Sequence, residues 1–312
     1  MTSMPLRPLG DSDLLVSAVG LGCNNFGRPG SATEDQAGTH RVLHAAVDHG
    51  ITLLDTAEMY GYEHGRSESM MGRALVGRRD SVVLATKFGH AEVKNPELQD
   101  VPHGSRTYIR AAVEGSLRRL RTDRIDLYQL HTPDPETPID ETLSALHELV
   151  DEGKVRYLGH SNFSAEQVDE AALAAASAGH PRLISAQNEY SLLVRDADAA
   201  LLPALERHGL GLLPYFPLAN GLFTGKFSRE GGPADSRIMR QRPHLVVVDQ
   251  LGDCAVCAAD RAVIGDAHRQ RRSRKRVVAT ATKRNSIPAK IRLTPTGSRN
   301  GCSAGSASSA IA

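Results

Sequence analysis

Seven short apolar runs, separated by stretches with apolar residues at helical spacing, follow one another along the first 216 residues of the chain. Strands that alternate with helices predict right-handed βαβ units and a parallel sheet. Ahead of these runs, LRPLGDSDLLVSAVGLG predicts a hairpin around Gly10-Asp11. The seven predicted strands are residues 17–22, ITLLDTA (51–57), SVVLATKFG (81–89), RIDLYQLHT (124–132), VRYLGHSN (155–162), LISAQNEY (183–190) and LGLLPYF (210–216).

Two kinds of parallel sheet are compatible with this alternation. A doubly wound sheet that binds a dinucleotide carries G-x-G-x-x-G after its first strand. In this chain GLGCNNFG follows the first strand, and Asn25 occupies the place of the third glycine. An eight-fold barrel needs one more strand, for which RVVATAT (276–282) is the best remaining run. We therefore predict an α/β fold, a (β/α)8 TIM barrel with an N-terminal hairpin and a weakly defined last β/α unit.

The composition of the chain changes after about residue 245. Residues 267–312 hold eleven of the 37 Lys and Arg residues and none of the 36 Asp and Glu residues, so the rest of the chain has a net charge of −10. All seven Tyr and six Phe lie at or before Phe227. The chain ends in GSRNGCSAGSASSAIA, a low-complexity stretch that favours disorder. We predict a barrel domain over residues 1–245 and an atypical, basic, poorly ordered segment over residues 246–312.

The joint loss of acidic and aromatic residues resembles translation in a shifted reading frame, which we state as a hypothesis. A natural divergent tail is the alternative. Eleven basic residues can bind nucleic acid or an acidic membrane, but a charge run without aromatics or a motif is usually solvated. We therefore expect no nucleic-acid partner.

Length and composition exclude several other classes of protein. A chain of 312 residues is long enough for one barrel domain. No stretch approaches the eighteen apolar residues of a membrane span, and MTSMPLRPLG lacks the regions of a signal peptide. Four cysteines in a chain of this length do not indicate a disulfide framework, and no metal site is predicted. We expect a cytoplasmic protein that does not interact with membranes.

Four polar residues lie at or just beyond the ends of predicted strands: Asp55, Tyr60, Lys87 and His131. In a parallel barrel the catalytic groups collect at the carboxyl ends of the strands. Each residue taken alone favours a structural role, such as capping or ion pairing. The recurrence of an acid, a phenol, an ammonium and an imidazole at matching positions favours one shared site.

These four side chains suit the protonation of a carbonyl oxygen. A free tyrosine has a pKa near ~10, and an adjacent ammonium stabilises the phenolate and lowers that pKa. An aspartate beside the lysine keeps the lysine charged and in position. A neutral histidine can hydrogen-bond the carbonyl oxygen. A hydride for the neighbouring carbon must come from a cofactor, because no side chain can supply one.

Six segments occur in the order of one known family: GITLLDTAEMYGYEHGRSESMMGRAL, VVLATKFG, RIDLYQLHTPD, GKVRYLGHSNFS, QNEYSLL and LLPYFPLANGLFTGKF. Over residues 5–243 the chain resembles the aldo-keto reductases, barrel enzymes that reduce aldehydes and ketones to alcohols. The resemblance implies NADPH as the hydride donor, with NADH as the alternative, and a small aldehyde or ketone as the substrate.

The resemblance also implies a role for each site residue. Tyr60 would donate the proton, Lys87 and Asp55 would tune it, and His131 would orient the substrate. The nicotinamide would contact Ser161, Asn162, Gln187 and Tyr215, with the Tyr215 ring stacked on it. The pyrophosphate would lie on a loop that contains Phe216, Pro217, Leu218, Gly221, Leu222, Gly225 and Lys226. Glycines let backbone N–H groups approach phosphate, and a lysine supplies the opposite charge.

The family's closing unit, which binds the adenosine end of the cofactor and shapes the substrate pocket, has no match after residue 245. Two other functions therefore remain open. One is a cofactor-binding regulatory subunit with little turnover, and the other is an inactive, truncated or frame-shifted relic. The substrate, the preference between NADPH and NADH and the oligomeric state do not follow from the sequence.

Overall fold

Seven parallel strands form one curled sheet in the computed structural model, which describes residues 4–92, 95–227 and 233. The strands neighbour one another in chain order, as in a β/α barrel. All seven predicted strands are confirmed, although each is shorter than its apolar run because the runs include loop residues. The strands are β3 (Leu21–Gly22), β4 (Leu53–Asp55), β5 (Val83–Phe88), β6 (Ile125–Leu130), β7 (Val155–Ser161), β8 (Leu183–Gln187) and β9 (Gly211–Leu212).

The predicted N-terminal hairpin is confirmed by two antiparallel strands, β1 (Leu6–Pro8) and β2 (Leu15–Ser17). Its turn needs glycine, because Gly10 has a φ of +60° and a Cβ there would overlap the carbonyl oxygen of Gly209. The Asp11 N–H donates to that same carbonyl at 2.9 Å. The hairpin covers the amino-terminal end of the sheet, where its apolar side chains pack with side chains of the strands. The cluster consists of Leu9, Leu14 and Val16 of the hairpin and Leu53, Ala85, Leu127 and Ile184 of the sheet.

Six helices in the described part of the chain cover the outer face of the sheet and bury their apolar sides against it. Ser164 begins one of them with a capping box, in which Ser164 and Gln167 each bond the other's backbone N–H. No helix of the described residues is long and apolar enough to cross a membrane. The helices are α1 (Gln36–Asp48), α2 (Arg66–Ala74), α3 (Arg106–Leu120), α4 (Ile139–Asp151), α5 (Ala165–Ala178) and α6 (Leu201–His208).

The described residues belong to one unit, Met1–Gly252, and a second unit, Asp253–Ala312, lies outside them. Within the described residues the fold is a seven-stranded half-barrel with β3 and β9 at its edges. The expected eighth strand at residues 276–282 also lies outside the described residues. The boundary near residue 245 and the poor order of residues 246–312 stay predictions.

Candidate active site

The register of the sheet brings Asp55 and Lys87 to the same face. Asp55 is the last residue of β4 and lies opposite Ala85 of β5. Lys87 follows two residues later on β5, so its side chain points to the same side as that of Ala85. His131 directly follows β6, and its N–H donates to the Phe88 carbonyl at 2.8 Å. Parallel strands that end together therefore gather these residues at one edge of the sheet.

Lys87 is the centre of the group, with a side chain that is completely buried. Its ammonium donates to an Asp55 carboxylate oxygen at 2.7 Å, to the Thr56 carbonyl at 2.9 Å and to the Tyr60 hydroxyl at 3.3 Å. An ammonium has three donors, and all three are used. Because the Tyr60 oxygen accepts from Lys87, its own proton stays available for another acceptor.

The surroundings set the protonation states of this pair. Burial lowers the pKa of Lys87, but the negative charge of Asp55 and the Tyr60 oxygen outweigh burial and raise it above its ordinary value. For Tyr60, burial raises the pKa more than Lys87 lowers it, so the phenol's pKa stands above its usual value. The expectation of a lowered Tyr60 pKa is therefore wrong in net effect, although Lys87 acts in the expected direction. Tyr60 is held in the protonated form that a donor needs.

His131 lies beside Tyr60 and is nearly buried. The two rings meet edge to face with their centroids 5.7 Å apart, and His90 approaches His131 in the same way at 4.8 Å. Burial holds the pKa of His131 well below its usual value, and the charges of Lys87 and His90 add to this effect. His131 is therefore neutral at physiological pH and can donate one hydrogen bond without carrying charge.

A second layer of side chains holds Asp55 in place. Gln129 on β6 and Gln187 on β8 both donate to the other oxygen of the Asp55 carboxylate, at 3.3 and 3.1 Å. Gln187 was expected as a cofactor contact, whereas Gln129 was missed. Two signals could have found Gln129: it is a polar residue inside an apolar strand, and it precedes His131 by two residues, which puts it on the same face.

All four expected nicotinamide residues are joined by one network of hydrogen bonds. Asn162 donates to the His131 carbonyl and to the Ser161 hydroxyl, both at 3.0 Å. Ser161 in turn donates to the Gln187 carbonyl at 2.7 Å. The Tyr215 hydroxyl donates to the Asn162 side-chain oxygen at 2.9 Å. The structure thus connects Ser161, Asn162, Gln187 and Tyr215 with His131 and Asp55, while Ser161 itself is buried with its hydroxyl engaged.

The loop expected to hold pyrophosphate follows Tyr215. Phe216 packs edge to face on the Tyr215 ring at 5.2 Å. Gly221 and Gly225 have φ values of +99° and +75°, which favour glycine, and a Cβ on either would meet nothing within 4 Å. Lys226 is exposed. Within the described residues, no hydrogen bond or ion pair joins the rest of this loop to Asp55, Tyr60, Lys87 or His131; the rest of the loop is Pro217, Leu218, Gly221, Leu222, Gly225 and Lys226.

Comparison with known proteins shows the family of the chain. Residues 18–288 match the sequence profile of the aldo/keto reductase family. The chain belongs to that family. The match runs past residue 243, where the sequence resemblance was expected to end, so the likeness includes part of the atypical segment. The origin of the composition change after residue 245 stays a hypothesis.

Two proteins of Bacillus subtilis (strain 168) are similar to this aldo/keto reductase family member. Aldo-keto reductase YhdN is 40% identical over 229 residues, which cover 73% of this chain and 66% of YhdN. The uncharacterized oxidoreductase YrpG is 40% identical over 227 residues, which cover 70% of this chain and 68% of YrpG. The chain thus spans about two thirds of the length of each of these relatives.

Proposed function

We propose that the protein reduces an aldehyde or ketone to an alcohol, with Tyr60 as the proton donor. The observation that carries this proposal is the position of the Lys87 ammonium, which touches both the Asp55 carboxylate and the Tyr60 hydroxyl. Asp55 and the Thr56 carbonyl already serve two of the three Lys87 donors, and the third acceptor is a hydroxyl that can itself give up a proton. A small carbonyl substrate and a cytoplasmic location are part of the same proposal.

The family implies NADPH or NADH as the cofactor, and the residues present suit a dinucleotide. The side-chain nitrogen of Gln187 donates to Asp55. The side-chain oxygen of Gln187 accepts no hydrogen bond from the described residues, so it can accept one from a carboxamide. The Tyr215 ring is held beside Asn162. Gly221, Gly225 and the exposed Lys226 would hold the pyrophosphate, since open space and positive charge suit an anion. When bound, the cofactor supplies the hydride.

The residues of the chain would then handle the carbonyl oxygen. Neutral His131 donates a hydrogen bond that orients the oxygen toward Tyr60. The Tyr60 hydroxyl transfers its proton to the developing alkoxide, and the phenolate that remains is stabilised by the Lys87 ammonium at 3.3 Å. Asp55 keeps Lys87 charged throughout. Burial of these groups strengthens each of these electrostatic interactions relative to water.

A fluorescence titration of the purified protein with NADPH and NADH, alongside Tyr60→Phe, tests the proposal. We expect micromolar binding by both proteins and turnover of a panel of aldehydes and ketones by the wild type alone. Binding by both proteins without turnover of any carbonyl compound would favour the regulatory subunit. Failure to bind either nucleotide would contradict the proposal and favour the inactive relic.

A further inference from the structure

Glu58, between Asp55 and Tyr60 in the sequence, binds the end of the strand that carries Lys87. Its backbone N–H donates to the Lys87 carbonyl at 3.0 Å, and its carboxylate accepts from the Gly89 N–H at 2.8 Å. One residue therefore takes up two backbone groups that flank Phe88. Only 1% of Glu58 is exposed, so these bonds form away from water, where an unmade bond is costly.

The same carboxylate oxygen of Glu58 also accepts from the hydroxyl of Tyr108 on α3 at 2.8 Å. Tyr108 is buried in the main apolar cluster between the helices and the sheet. Glu58 is thus fixed at three points: the Lys87 carbonyl, the Gly89 amide and a core tyrosine. Two residues further on, the Tyr60 hydroxyl lies 3.3 Å from the Lys87 ammonium.

We propose that Glu58 is a positioning residue, which holds the loop carrying Tyr60 against the strand carrying Lys87. The inference rests on the proposed carbonyl reduction, because that reaction makes the Tyr60–Lys87 distance matter. Glu58 itself does not touch the catalytic side chains. It acts through the backbone on both sides of the pair, so its loss would separate the phenol from the ammonium while the rest of the site remains.

Other charged groups surround the Glu58 carboxyl. Glu68 approaches from α2 and Arg119 from α3, and the two bind each other at 2.7 Å. The second carboxylate oxygen of Glu58 lies 3.8 Å from the His64 ring. Burial raises the pKa of Glu58 above its usual value, and the hydrogen bonds from Gly89 and Tyr108 oppose burial only in part. The acceptor oxygen can serve both donors in either protonation state.

The test compares Glu58→Met, which removes the acceptor at similar length, with Glu58→Gln, which keeps an acceptor oxygen. A misplacement of about 1 Å can cost about 100-fold in rate, so we expect E58M to lower kcat at least about tenfold. NADPH affinity should stay within about twofold, because the cofactor residues lie on other strands. A greater distance between the Lys87 ammonium and Tyr60 should also raise the pKa of the phenol and so move the alkaline limb of kcat to higher pH. E58Q should restore most of both properties.

Glu68→Gln is the matched control, since Glu68 is an equally buried carboxylate that binds Arg119 and Thr86 instead of the strand end. It should lower the melting temperature and leave kcat and its alkaline limb unchanged. If kcat fell in both E58M and E68Q, by amounts that follow the fall in their melting temperatures, the effect would be a general structural one. That result would overturn the proposal. Unchanged kcat in folded E58M would overturn it as well.

A crystal structure of E58M separates this proposal from the proposed function, because it needs no turnover. We expect the distance between the Lys87 ammonium and the Tyr60 oxygen to exceed hydrogen-bonding range, and an unchanged 3.3 Å would refute the role of Glu58. Should E58M not fold, Tyr108→Phe removes one of the two donors to the Glu58 carboxylate, and it should lower kcat by a few-fold. Unchanged kcat in Y108F would then count against the proposal. A wild type without reductase activity would instead disprove the proposed function.

Discussion

The Tyr215 hydroxyl donates to the side-chain oxygen of Asn162 at 2.9 Å, across the width of β8. Tyr215 follows the edge strand β9, whereas Asn162 follows β7. The Asn162 amide then donates to the His131 carbonyl at 3.0 Å. A chain of hydrogen bonds thus runs from the edge of the described sheet to the residue proposed to orient the substrate.

Removing one hydroxyl tests whether this chain supports cofactor binding. Tyr215→Phe keeps the ring but leaves Asn162 without that partner, and a net hydrogen bond is worth about 0.5–1.5 kcal/mol. We expect the Kd for NADPH to rise about three- to tenfold in a fluorescence titration. Tyr157→Phe is the control, because the Tyr157 hydroxyl binds Asp13 near the hairpin. Equal effects of the two variants on the Kd would contradict the prediction.

The raised pKa of Tyr60 predicts the pH dependence of the proposed carbonyl reduction. Reduction needs the protonated phenol, so kcat should be flat through neutral pH and fall only above pH ~10. Oxidation of the alcohol needs the phenolate and should rise over the same range. Because the folded-state pKa values of Tyr60 and Lys87 are both raised, stability is also lost at alkaline pH. Circular dichroism at each pH would show whether a fall in kcat comes from unfolding or from titration of Tyr60. A fall in kcat near neutral pH in the folded protein would refute Tyr60 as the proton donor.

His160 on β7 predicts a loss of stability in acid. It is completely buried, stacks on Phe163 at a centroid distance of 4.3 Å, and neither ring nitrogen bonds a described residue. Burial lowers the pKa of His160 to about 3, whereas the unfolded chain takes up the proton near pH ~6.5. Stability from the neutral ring is therefore full above pH ~6.5 and is lost as the pH falls toward about 3.

At about 1.4 kcal/mol per pKa unit, this histidine should cost about 2 kcal/mol of stability between pH 7 and pH 5. His160→Leu keeps an apolar side chain of similar size and removes the titration. We expect the fall in unfolding free energy over that pH range, measured in urea, to be smaller by about that amount in the variant. Parallel losses in the two proteins would show that His160 does not titrate on unfolding.

The absence of a side chain at Gly159 on β7 predicts that a larger residue there would destabilise the packing next to Gln129. A Cβ there would overlap the Ser185 hydroxyl oxygen and lie 3.1 Å from the Gln129 side chain. We expect Gly159→Ala to lower the unfolding free energy by about 1–3 kcal/mol, the usual cost of overpacking. At Gly22, a strand glycine with nothing within 4 Å of its Cβ position, alanine should leave stability unchanged or raise it. Similar urea midpoints for the two variants would disprove the steric argument.

The sequence predicts those parts of the fold and of the site that depend on the local order of apolar and polar residues. The apolar run around Lys87 predicts a strand, and parallel strands that end together bring Lys87 and Asp55 to one edge. The contacts of Gln129 and Gln187 with Asp55 depend on which strands are neighbours and in which register. The pKa of Tyr60 depends on how deeply the phenol is buried, which no spacing of residues reveals.

Glu58 shows the same limit. It lies three residues from Asp55, but its partner Tyr108 is 50 residues away on a helix, so sequence alone gives no reason to connect them. A buried glutamate beside an active-site loop is also chemically ambiguous until its donors are known. Only its hydrogen bonds show whether Glu58 acts as a second proton donor or holds backbone groups in place.

The turn of the N-terminal hairpin has a consequence for synthesis of the chain. Arg182 donates to the Asp11 carbonyl across 171 residues of sequence, and Gly209 accepts from the Asp11 N–H. The ribosome must therefore add the residues of β8 and α6 before the hairpin can reach its final position against the sheet. Until then Leu9, Leu14 and Val16 lack Ile184, the member of their apolar cluster on β8, and a nascent chain paused before β8 would expose part of their surface to chaperones. The first segment of the fold to be made is thus among the last to dock.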